Sequence, residues 1–266
     1  MPPEGPPAMT IPPRLHWSHV TITGQPCEVF TPPDAVPGRA LVFLHDLAGR
    51  PLSQADAVRS AIEAAGLPTI APLTGRSWWL DRIMPTFDSG VTPERFVRDA
   101  VVAEISVRLG VQPPGIALLG VGMGGQGALR LAYRHPGVFP IAAAIAPALD
   151  FHLGMRNAAD RDDGELFDTL WETFGDVERA RQDTAILHVH PLNWPRHQWF
   201  ASSPDDLDWH DGASRLHGKL VALGIPHEAV LEPLPGEDQA AFERRMAAAA
   251  VAFVVNALDK ESRRIE

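Results

Sequence analysis

The chain has 266 residues, 45% of them hydrophobic and 21% charged, with a formal net charge of −10. That length suits one large core or two small ones, and the composition is globular rather than fibrous or disordered. An acidic chain without a Lys/Arg run is repelled by nucleic-acid backbones and anionic membrane surfaces, which excludes both as expected partners.

Residues 1–14 (MPPEGPPAMTIPPR) lack an apolar stretch and are too rich in proline for a helix, so they read as an extended or disordered leader. The lone Cys27 has no disulfide partner and no metal-ligand spacing, which fits a reducing, cytoplasmic setting.

From there the chain alternates. Candidate strands lie at 18–23, 26–31, 40–45, 67–72, 115–120, 141–147, 197–202 and 227–232, and helical patterns at 53–65, 93–109, 125–134, 212–223 and 238–258. The middle strands are continuous apolar runs, as expected where helices cover both faces of a mostly parallel sheet. The expected fold class is therefore α/β, with ligands at the carboxyl ends of the strands. Residues 151–195 break the rhythm: charged at first, then helical, they read as a short cap inserted into a single domain over 15–258, with a charged tail at 259–266. The apolar run Met246–Val255 is about half of what spans a bilayer, so it predicts a buried helix, or alternatively the face of a homodimer.

The stretch GVGMGGQGA, Gly120–Ala128, lies between a strand and a helix and admits two readings. In one, G-x-G-x-x-G cradles a pyrophosphate; it fits at Gly120/Gly122/Gly125 and at Gly122/Gly124/Gly127, with Asp150 as the later acidic residue. That fingerprint normally occupies the first strand of its domain, and here at least two strand-helix units precede it. In the other, Gly120, Met123, Gly124 and Gly125 form a nucleophile elbow with Gly122 at its tip.

The segment ALLGVGMGGQGALRLAYRHPGVFPIAAAIAPALD favours the second reading, since it resembles the putative-esterase branch of the α/β-hydrolase fold, which includes esterase D and S-formylglutathione hydrolase. Elbows there commonly read like GHSMGGHGAL. The resemblance continues through LVFLHD at 41–46, through residues 76–97 and through 196–246, and so spans most of 20–255. It implies an α/β-hydrolase fold with a serine, an aspartate and a histidine after three late strands, and backbone N–H donors for an oxyanion.

Carried over residue by residue, the resemblance puts the nucleophile position on Gly122 and the acid position on Asp206, with Asp205 close behind. The family's G-H-[DS]-W pattern meets Gly236-Glu237-Asp238-Gln239, which places Glu237 where the base belongs. The oxyanion-hole positions are Leu47 and Met123, and where the family offers His-Gly after the third strand this chain has His45-Asp46. His45, Asp46, Trp78 and Trp79 are expected to line the pocket, the two indoles equally able to close the core. Asp46, Asp206 and Glu237 either converge on one pocket mouth or bond separately to loop backbone.

His188 and His190 alternate, a spacing compatible with metal on an extended segment but equally with packing; His210 and His217 read as solvated. No cofactor and no metal are expected. The functional expectation is a protein without serine-hydrolase chemistry that binds a small molecule in the old cleft, or a protein partner. The alternatives are an active carboxylesterase or thioesterase using an unrecognised nucleophile or base, and a dinucleotide binder.

Overall fold

The computed structural model describes residues 16–157, 164–206 and 209–265. The leader 1–14 lies outside them. Eight strands among the described residues form one sheet: β1 (His16–Ile22), β2 (Gln25–Thr31), β3 (Ala40–Leu44), β4 (Thr69–Pro72), β5 (Ile116–Val121), β6 (Ile141–Ile145), β7 (His197–Ala201) and β8 (Glu228–Val230). Their spatial order is β1-β2-β4-β3-β5-β6-β7-β8. The first hairpin is antiparallel and β2 meets β4 antiparallel, while β4 through β8 run parallel. Every residue of β3 and β6 is buried, which is why those strands read as unbroken apolar runs.

Helices cover both faces. On one side α1 (Asp56–Ala65) packs on α9 (Gln239–Ile265); on the other lie α4 (Met123–Arg134) and a continuous helix in three parts, α2 (Pro93–Arg95), a π-helical stretch Phe96–Val101 and α3 (Val102–Leu109). Two cores result. The α1/α9 side centres on Phe43, Val58, Leu119 and Phe242, the other on Val42, Leu118, Leu129 and Phe200. The alternation along each strand divides them: Val42 points one way and Phe43 the other.

The stretch 151–195 carries α5 (Phe151–Asn157), α6 (Gly164–Phe174), α7 (Val177–Asp183) and a 3₁₀ turn, Ala185–His188. Phe151, Leu170, Phe174 and Ala180 belong to the same apolar cluster as α4, so the insertion is sealed to the sheet domain by its own core residues. Between β7 and β8 runs α8 (His210–Ala222).

Two local expectations change. Residues 259–265 continue α9 instead of leaving it as a tail, because buried Glu261 accepts hydrogen bonds from His197 (2.9 Å) and Arg196, and Asp259 pairs with Arg39. His188 closes a 3₁₀ turn, so it and His190 do not share an extended segment; among the described residues no cluster of His, Cys, Asp or Glu is arranged to hold a metal ion. No helix among them is long and apolar enough to cross a membrane.

Candidate functional site

β5 delivers the chain into a sharp turn at Gly122, φ 55° and ψ −118°, and α4 begins at the next residue. The turn is held by backbone alone. Gly122 N–H donates to Ile145 C=O (2.9 Å), and Gly122 C=O accepts from Gln126 (3.1 Å) and Ala148 (3.0 Å). The flanking glycines are there for packing. A Cβ on Gly120 would overlap the Gly124 carbonyl, and one on Gly124 would overlap the Leu44 carbonyl of β3. Gly127 faces Trp79, whose Cβ an added Cβ would meet at 2.6 Å and whose ring at 2.7 Å. Contacts within the chain thus account for these glycines, with no need of a pyrophosphate. Gly122 differs: a Cβ there would meet only the Asp46 Cβ, at an ordinary contact distance of 3.6 Å.

The loop after β3 brings His45 and Asp46 to this turn. His45 is 2% exposed, and its Nε2 must accept, because its partner is the Thr74 backbone N–H at 3.1 Å. Nδ1 therefore carries the proton and donates to Asp46 C=O (2.7 Å). Burial holds the ring below the ordinary histidine range, against the opposing pull of Asp46. His45 is a neutral strut with both nitrogens committed. Asp46 accepts from Arg50 through Oδ2 (2.9 Å), while its Oδ1 is buried without a hydrogen-bond donor among the described residues.

Trp78 and Trp79 do not line the cleft. Both are 0% exposed. Two successive left-handed residues, φ 51° and 55°, turn both rings inward: Trp78 packs on Phe151 with centroids 5.1 Å apart, and Trp79 on His45 at 5.0 Å. The Trp78 backbone N–H donates to Met123 Sδ (3.2 Å), so Met123, first residue of α4, is buried beneath that loop, while Leu47 is half-buried against the same core.

Past β7, Asp206 accepts through Oδ2 from the Ser203 N–H (2.8 Å) and Ser202 Oγ (3.2 Å). Its Oδ1 accepts from Gln239 Nε2 at 3.1 Å. Asp206 lines the cleft, and Asp205 is exposed beside it. Glu237 is elsewhere: it forms a two-point pair with Arg245 (2.6 and 2.7 Å) and accepts from the Leu234 N–H (2.9 Å), and Arg245 holds its carboxyl down at about 2. The side chain set against Asp206 is therefore Gln239, two residues beyond the one the family pattern selects. Asp238 caps α9 by accepting from Ala241 N–H (2.7 Å), and that cap, a carboxylate just ahead of Gln239-Ala240-Ala241, is the sequence signal that puts Gln239 at the helix start. Glu237 and Asp206 do not converge. His210 donates through Nδ1 to Ser202 C=O (3.3 Å) and His217 bonds His227 (2.8 Å), so neither is simply solvated.

Asp46 and Asp206 line a cleft of about 240 Å³ over the ends of β3, β5 and β6, where Val121 stands next to Gly122 in the chain, and Phe242 and Glu243 of α9 complete its lining. A family model described as "Putative esterase" matches residues 85–230, more than half of the chain. The chain belongs to the putative-esterase family. No curated protein matches its sequence. Among solved structures, this family member is similar to an S-formylglutathione hydrolase from Agrobacterium tumefaciens (TM-score 0.64, 16% identity, 95% of each chain covered). It is similar also to a fluorophosphonate-binding serine hydrolase of Staphylococcus aureus (0.61, 14%, 90% of this chain and 96% of that one). A third is a hyperthermophilic esterase from Pyrobaculum calidifontis (0.64, 15%, 92% and 86%). At these identities the likeness is one of fold, and that fold is the α/β-hydrolase fold.

Proposed function

We propose that this member of the putative-esterase family binds a small molecule in the cleft beside Gly122 without hydrolysing it. The observation that carries the reading is the pairing of Asp206 with a glutamine amide next to a turn whose tip residue has no side chain. Acyl transfer by serine needs a hydroxyl, a base to take its proton and a carboxylate to orient that base. Gly122 supplies no hydroxyl. Gln239 donates to the carboxylate as an imidazole would, but an amide takes up no proton near neutral pH. Removing either nucleophile or base costs about 10⁶ in turnover in enzymes of this chemistry. His45 does not stand in, since its Nε2 is occupied by the Thr74 N–H.

The test is fluorophosphonate labelling together with p-nitrophenyl acetate turnover. The expected result is no labelling and no turnover above buffer for the wild type and for Gly122→Ser, and measurable labelling in Gly122→Ser combined with Gln239→His. Gly122→Ser combined with Glu237→His is expected to stay blank, because position 237 is turned towards Arg245. Labelling of the wild type would overturn the proposal.

A further inference from the structure

The cleft has apolar walls and an acidic mouth. Phe43, Val58, Val121, Ile145 and Phe242 face its interior, while Asp46, Asp56, Asp206 and Glu243 stand around it; among the described residues Arg50 is the one cation in its lining. Arg50 is 62% exposed at its side chain and engages only Oδ2 of Asp46. Of the carboxylates in the lining, Asp46 has one oxygen, Oδ1, without a donor among the described residues, whereas Asp206 accepts from Ser202, Ser203 and Gln239, and Glu243 from Gln239. The lining is thus short of positive charge, and one of its carboxylate oxygens is short of a donor.

Three ligand chemistries meet this differently. A carboxylate or phosphate faces four carboxylates against one guanidinium and brings no donor to Asp46 Oδ1. A neutral apolar molecule fills the walls but leaves the mouth as it is. An ammonium group carries three N–H donors and the complementary charge, and hydrogen bonds to ionised partners are the stronger kind. We propose that the cleft takes a small apolar primary amine, its body against Phe43, Val58 and Phe242 and its ammonium at the mouth lined by Asp46 and Asp206. The volume equals that of about eight liquid waters, room for one ring on a short arm. This rests on the non-hydrolytic reading above.

Isothermal titration with 2-phenylethylamine, 2-phenylethanol and phenylacetate tests it on the full chain. The amine is expected to bind saturably, at least tenfold tighter than the alcohol, and phenylacetate not at all. Asp46→Asn is expected to weaken the amine about tenfold and Arg50→Gln to tighten it, neither altering the alcohol; both side chains reach solvent, so both variants are expected to fold. The proposal is overturned by an alcohol or carboxylate that binds as well as the amine, by an amine that fails to saturate at millimolar concentration, or by indifference of the amine to Asp46→Asn. Fluorophosphonate labelling of the wild type overturns the non-hydrolytic reading whatever the titrations give, whereas a failed titration with blank labelling removes the amine alone.

Discussion

A single methyl group separates the glycines of the turn into two kinds. On Gly124 it would be driven into the Leu44 carbonyl, where neither partner is a flexible side chain, so Gly124→Ala is expected to cost about 3 kcal/mol or more, or to prevent folding. On Gly122 it overlaps nothing, touching only the Asp46 Cβ at an ordinary 3.6 Å, and the penalty is the backbone strain of φ 55°, about 1–3 kcal/mol. Urea unfolding of the two alanine variants checks the ranking, and equal losses would refute it. The steric glycines were legible as a tight strand-to-helix turn because their spacing reflects contacts within a few residues. The fate of Trp78 and Trp79 was not: whether adjacent indoles wall a cleft or close a core depends on two left-handed backbone angles and on Phe151, far along the chain.

At the scale of elements, buried charge ties the helices together. Glu94, in the first turn of α2 and 0% exposed, receives Arg130 and Arg134 of α4 and His135 (2.9 Å), while Arg130 reaches Asp183 of α7 (3.1 Å). Burial would raise the Glu94 carboxyl, but His135 and the two guanidinium groups outweigh it and hold it below its ordinary value. Glu94→Gln keeps the shape but leaves Arg130, 2% exposed, beside a neutral amide; a loss of about 3 kcal/mol is expected, read from denaturant midpoints. The central strands β3 to β6 were readable as apolar runs, since burial on both faces of a parallel sheet leaves that mark in the order of residues. What escaped was long-range pairing. Gln239 meets Asp206 across 33 positions and Glu261 meets His197 across 64, so the acid's neighbour was misjudged as Glu237 and α9 was ended too early at 258.

For the molecule as a whole, the histidines set the response to acid. Burial depresses both His45 and His188, the latter to about 4 with help from Arg130 and Arg134. Below about pH 6.5 the unfolded chain protonates these rings while the fold resists, so the unfolded state binds more protons and stability falls as pH falls. The fold is therefore expected to lose stability from pH 6.5 down towards 4, where His188 titrates in place, ahead of the loss as Glu94 and Glu261 are neutralised at lower pH. Melting temperatures across pH 7 to 4 measure the slope. His188→Gln is expected to flatten it, and an unchanged slope would show that this ring carries none of it.

The turn at Gly122 is gripped through its peptide groups by β6 and by the chain just beyond it, and owes nothing to what its tip residue carries. Position 122 is in that sense a rigid mounting point. Cys27, the sole natural thiol, is 1% exposed and pushed up to about 12 chiefly by burial, so a cysteine installed at 122 would be the one reactive sulfur of the molecule. A spectroscopic tag fixed there would sit beside Asp46 and report directly on whatever enters.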